Sequence, residues 1–112
     1  MNQAERGRAG ETAATALLEA AGYRIVARNV RLPDGEIDII ARDGDTLVFV
    51  EVKARASRRF GSAAGAVDAR KRATLRKIAG DWLQIAAPRA RARFDVVTFD
   101  GDRPTLHRGA FG

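Results

Sequence analysis

The spacing of apolar and polar positions divides the chain into helical and strand-like segments. From about Gln3 to Ala21 alanines surround Leu17 and Leu18, and Gly22 follows where a helix end takes a left-handed residue, which predicts a first helix. "YRIVARNV", Tyr23 to Val30, reads as a strand, and Pro33, Asp34 and Gly35 stand in turn order behind it. "EIDIIAR", Glu36 to Arg42, and "TLVFVEVKA", Thr46 to Ala54, are two further strands around the turn "DGD". These three strands are expected to form an antiparallel meander. Residues 55 to 66, "RASRRFGSAAGA", show no clear period and predict a basic loop. A second helix is expected from about Val67 to Ala86, with Leu75, Ile78, Ala79, Trp82, Leu83 and Ala86 at helical spacing. Arg70, Lys71, Arg72, Arg76 and Lys77 fall mainly on its other face. Pro88 ends it, "RFDVVTF", Arg93 to Phe99, is a fourth strand, and "TLHRG" after the turn "DGDRP" is a short edge strand. The strand, helix, strand passage predicts a parallel return beside the third strand through a right-handed crossover.

The third strand poses the chemical question. Alternation puts Leu47, Phe49, Glu51 and Lys53 on one face and Val48, Val50, Val52 and Ala54 on the other, so two charges extend an apolar row. A hairpin closed on a two-residue loop at Gly44 and Asp45, or on a four-residue loop around them, sets Asp38 directly opposite Glu51, Ile40 opposite Phe49 and Glu36 opposite Lys53. It also sets Ile37, Ile39 and Ala41 against Val52, Val50 and Val48, so that apolar meets apolar on both faces. Two facing carboxylates about 5 Å apart repel by roughly 3 kcal/mol at an effective dielectric near 20. A hard divalent cation, Mg²⁺ or Mn²⁺, held by both would offset this, and Lys53 would then point beside the ion. There the ammonium could stabilise charge developing on a phosphate or orient an attacking water. The alternative is a three-way salt bridge among Asp38, Glu51 and Lys53, with Glu36 joining and no metal.

Composition narrows the function classes. The 112 residues make one domain, 1–112, with a single core. With no cysteine and one histidine, His107, a thiolate zinc site, an iron-sulfur cluster and a paired-histidine site are excluded. The longest strongly apolar run is Leu47 to Val50, and the N-terminal stretch carries no apolar signal region, so a cytoplasmic protein with no membrane role is expected. Residues 1 to 53 hold seven Lys/Arg against nine Asp/Glu, and residues 54 to 112 hold thirteen against five, giving −2 and +8. That asymmetry, with a pI near 11.0, points to a polyanionic partner, most simply nucleic acid. Arg55, Arg58, Arg59, Arg70 and Lys71 are the candidate phosphate contacts; a solvated Arg-rich surface is the bland alternative. Asp95 in "RFDVV" is expected to pair with an arginine near the sheet rather than to bind metal, and His107 to be structural.

With these residues in view, "GEIDIIA", "LVFVEVKAR", then "FG" and "AVDARK" resemble the bacterial YraN family. Its chains look like small Holliday-junction resolvases among the PD-(D/E)xK, restriction-endonuclease-like nucleases. The resemblance covers nearly the whole chain and implies an α/β fold, an α-β-β-β-α-β core whose mixed sheet is flanked by helices. It implies a divalent-metal phosphodiesterase site acting on nucleic acid, with branched DNA one substrate class. Carried over, Asp38 and Glu51 become metal ligands, Lys53 the catalytic lysine, and Glu11 in "AGE" an additional carboxylate from the first helix. The proline of the PD motif is absent, since Glu36 and Ile37 precede Asp38. Related resolvases act as dimers, which leaves room for a homodimer here. A nucleic-acid-binding module that kept the fold without cleaving is the rival reading.

Overall fold

A computed structural model describes residues 3–53 and 67–112, residues 3–6 by their backbone alone. The order is α1 (Gln3–Ala20), β1 (Arg24–Leu32), β2 (Gly35–Asp43), β3 (Thr46–Lys53), α2 (Ala69–Ala86), β4 (Arg91–Asp100) and β5 (Arg103–Phe111). This is the α-β-β-β-α-β core with one more strand, and the sheet runs β1-β2-β3-β4-β5. The pairs β1/β2, β2/β3 and β4/β5 are antiparallel, and β3/β4 is parallel across α2. The meander and the parallel return are as the apolar pattern predicts. The expected short edge strand is instead nine residues long, because β4 supplies it a ladder from Phe94 to Asp100. Arg55, Arg58 and Arg59 lie outside the described residues.

Local chemistry sets the element ends. Gly22, at φ 94°, closes α1: Tyr23 N–H donates to the Leu18 carbonyl at 2.9 Å and Gly22 N–H to Glu19 at 3.0 Å, the bonding pattern of a Schellman end. The β2–β3 hairpin turns on two residues, with Gly44 at φ 61° and Asp43 paired to Thr46, which suits a type II′ turn. Asp68 caps α2, its side chain accepting from Lys71 N–H at 2.8 Å, so the helix starts two residues later than the apolar period suggests.

The sheet is covered on both faces. On one, Ala14 and Leu18 of α1 pack with Ile39, Ala41, Val48, Val50, Val97 and Phe99. On the other, Leu75, Ile78 and Ala79 of α2 pack with Ile37, Ile40, Leu47, Phe49 and Val96. Asp95 is fully buried and accepts from Tyr23 Oη (2.7 Å), Arg93 Nε (2.9 Å) and Gly109 N–H (2.9 Å), while Arg93 also donates to Asp43 (2.9 Å). It pairs with an arginine, as the sequence suggests, and ties β4 to β5 and to the end of α1. Burial, then the Asp95 carboxylate, pushes the Tyr23 hydroxyl up to about 12, so the phenol stays a donor. His107 Nε2 lies 2.8 Å from Thr98 Oγ1, a β4–β5 side-chain contact.

Candidate functional site

The site begins where the β2–β3 ladder ends. Pairs from Asp43–Thr46 to Ile39–Val50 follow the register that the apolar pattern predicts. Beyond Ile39 the pairing stops, and the Asp38 carboxylate itself accepts the Val52 N–H at 2.8 Å. Asp38 is therefore not the ladder partner of Glu51; its side chain takes the place of a backbone acceptor where the strands part. Ile37 also departs from expectation, packing on the α2 face with Ile40 rather than with Ile39. The cause is a local break in alternation. Asn29, with φ 54°, lies between the Arg28–Ile39 and Val30–Ile37 pairs, directly across from Asp38, and asparagine tolerates that left-handed conformation.

Glu51 and Lys53 stand at the carboxyl end of β3, and α2 begins near that end, where Lys71 meets Glu51, because the parallel crossover must carry the chain back from there to the amino end before β4. The carboxyl ends of parallel strands are where open α/β sheets bind ligands. Lys71, in the first turn of α2, sits 3.8 Å from Glu51 Oε1. Glu51 is 8% exposed, and its Oε2 is buried with no hydrogen-bond partner among the described residues. The three-way bridge with Lys53 does not form; among the described residues Lys71 is the cation within ion-pair distance of Glu51, and Lys53 acts on both carboxylates from farther off. Burial, then the charge of Asp38, pushes the Glu51 carboxyl up to about 7, with Lys71 and Lys53 pulling the other way. Asp38 is raised too, mainly by burial, against the stabilising Val52 N–H and the Lys71 charge.

Glu11 approaches from α1. It is raised first by burial and then by Asp38, and Arg28 Nε stands 3.7 Å from its Oε1 without making a hydrogen bond. Glu36 adds negative charge to all three carboxylates. Thus Glu11, Asp38, Glu51 and Lys53 gather at one end of the sheet, and Arg70 and Lys71 lie at the adjoining end of α2. The pairing of Arg28 with Glu11 carries no local sequence signal, since it joins an edge strand to a helix that precedes it.

Two observations bear on a metal. Among the described residues no three His, Cys, Asp or Glu side chains form a ready cage. A magnesium-type ion, however, uses one or two carboxylates and completes its shell with water and phosphate. An anionic pair held against its own repulsion, with one buried oxygen unpartnered, is a donor set that such an ion fits.

Residues 10–99 match the profile of the uncharacterised protein family UPF0102. A UPF0102 protein of Moorella thermoacetica is 48% identical over 104 residues, covering 92% of this chain and 87% of that protein. One from Symbiobacterium thermophilum is 52% identical over 92 residues (81% and 78%), and one from Xanthomonas campestris 48% over 112 residues (96% and 91%). The chain belongs to the UPF0102/YraN family. The UPF0102 profile spans Glu11, Asp38, Glu51, Lys53, Arg70 and Lys71, so every described candidate residue falls inside the family region. Among the described residues of this UPF0102 chain, no helix is long and apolar enough to cross a membrane.

Proposed function

We propose that the chain is a metal-dependent endonuclease that hydrolyses phosphodiester bonds of nucleic acid, DNA in the first instance. The observation that carries the reading is the Asp38 and Glu51 pair: two carboxylates raised by burial, with an unpartnered buried oxygen, at a strand end flanked by lysines. On this reading Asp38 and Glu51 hold Mg²⁺ or Mn²⁺, which when bound supplies charge stabilisation to the phosphoryl group and acidifies water. Val52 N–H fixes the Asp38 carboxylate, and the Lys71 charge favours the anionic form of Glu51 before substrate arrives. Lys53 presents its ammonium to the phosphate as charge develops in the transition state. Glu11, its carboxyl raised by burial and by Asp38, adds a further carboxylate to the site from α1. Arg70 and Lys71, with Arg55, Arg58 and Arg59, hold the flanking backbone. The test is incubation of the purified chain with branched, flapped, single-stranded and duplex DNA, and with RNA, in Mn²⁺, Mg²⁺ or chelator. Cleavage should require the ion and vanish in Asp38→Asn and Glu51→Gln. Salt-dependent binding without cleavage of any of these would establish the non-catalytic binding module instead.

A further inference from the structure

We propose that the cavity beside Asp38 receives one unpaired nucleobase, so that the preferred substrate is nucleic acid with an unstacked nucleotide next to the scissile phosphate rather than smooth duplex. This deepens the nuclease reading and rests on it. The cavity, about 470 Å³, opens between α1 and the β4–β5 turn, where Gly7, Gly10 and Glu11 meet Asp38, Phe99 and Asp102. Its size falls in the lower part of the range for ligand pockets, about 300–1,000 Å³.

The lining chemistry selects the occupant. Among the described residues, the charged groups lining it are the carboxylates of Glu11, Asp38 and Asp102, and Arg28, 3.7 Å from Glu11 Oε1, is not one of the lining residues, so the walls disfavour a phosphate. Carboxylate oxygens accept N–H bonds, which the amino and ring N–H groups of bases supply. Glu11 Oε1 is buried beside Arg28 Nε, 3.7 Å away, without a hydrogen bond to it. Phe99 supplies an apolar wall, and the glycines leave room for a flat ring. Lys71 lies elsewhere: it reaches Glu51 from α2, which packs on the opposite face of the sheet. Asp38, which borders the cavity and adds its charge to Glu51, lies between a base on the α1 side and a phosphate on the α2 side. A paired base has its edge engaged and its faces stacked, so only an unpaired or extruded one can enter.

Gly7→Leu tests this. A Cβ at Gly7 meets nothing within 4 Å, and leucine is the better helix former, so the variant fills the cavity without disturbing the fold. Binding is read by fluorescence anisotropy in chelator, using a labelled single strand and a blunt hairpin duplex of the same sequence. Wild type should prefer the single strand. Gly7→Leu should weaken the single strand about tenfold, the size of one base stack, and leave the duplex unchanged. Gly7→Ala, which adds one methyl, should keep most of the affinity. Wild type without a single-strand preference, or a Gly7→Leu variant that binds both probes as wild type does, overturns the proposal. So does a Gly7→Leu loss confined to binding of a lysine-rich peptide, which would assign the cavity to a protein partner. Because the readout is binding, absence of cleavage by wild type sinks the nuclease reading by itself.

Discussion

Glu51→Gln removes one charge from the site and keeps the side chain's shape, so its effect can be worked from the structure. The Glu51 carboxyl is raised from 4.5 to about 7, first by burial and then by Asp38. The folded chain therefore holds a proton that the unfolded chain has released between those two values, and stability rises as pH falls through that window. At about 1.4 kcal/mol per pKa unit, the penalty carried by the ionised form above pH 7 is about 3 kcal/mol. With Glu51 only 8% exposed, solvent screens little of it. Glutamine is neutral at every pH, but its amide needs hydrogen-bond partners of its own. In chelator at about pH 8 the variant should thus be more stable than wild type by about 1–3 kcal/mol, roughly 4–13 °C in Tm. Near pH 5 the two should converge. Mn²⁺ at a hundredfold over its Kd should raise wild type by about 2.7 kcal/mol and leave the variant unmoved. Thermal melts of both proteins across that pH range, with and without Mn²⁺, provide the measurement. A wild-type minus variant difference that stays flat with pH in chelator would refute the claim that burial and Asp38 strain this carboxylate.

Lys53→Met keeps the apolar length of the side chain and removes the ammonium, so single-turnover cleavage should drop by orders of magnitude while equilibrium binding changes little. If cleavage is unchanged at saturating metal, Lys53 only neutralises its neighbours. Replacing Arg70 and Lys71 by glutamine should weaken duplex binding and flatten its salt dependence, by roughly 0.9 logarithmic units per tenfold salt for each phosphate left without its cation. An unchanged slope would remove α2 from the interface. Asp95→Ala strips the acceptor from Tyr23, Arg93 and Gly109 together and should cost about 3 kcal/mol in urea unfolding, the low end for a broken buried pair because Arg93 is part exposed.

Most of the fold is legible in the sequence because burial on two faces constrains a sheet twice. Any one-residue slip between β2 and β3 would send Ile39 and Ile40 to the wrong helices, so the apolar pattern alone determines the pairs from Ile39–Val50 to Asp43–Thr46. That logic ends with the apolar residues. Past Ile39 the chain is held by a side-chain bond from Val52 N–H to Asp38 and bent opposite Asn29, and strand periodicity encodes neither. The partner of Glu51 escapes the pattern for a related reason. Alternation ranks neighbours along one strand and so favours Lys53, whereas Lys71 arrives through a crossover whose helix start is decided by the Asp68 cap. The cavity is still less visible, since it arises from small residues of α1 meeting a turn some ninety positions later, and nothing local links Gly10 to Phe99.

What the sequence displays most openly is the cost itself. Leu47 and Phe49 show what position 51 would hold if stability alone chose it, because an apolar residue there would continue their row under α2. The chain instead carries a carboxylate that opposes folding above pH 7 by about 3 kcal/mol, beside a second one that burial also disfavours. Lys71 offsets only part of that, since the Glu51 carboxyl remains raised with the lysine 3.8 Å away. A salt bridge built for stability would have lowered it. On the proposed reading that strain is a binding free energy held in reserve, which a cation reached by both carboxylates would recover on binding.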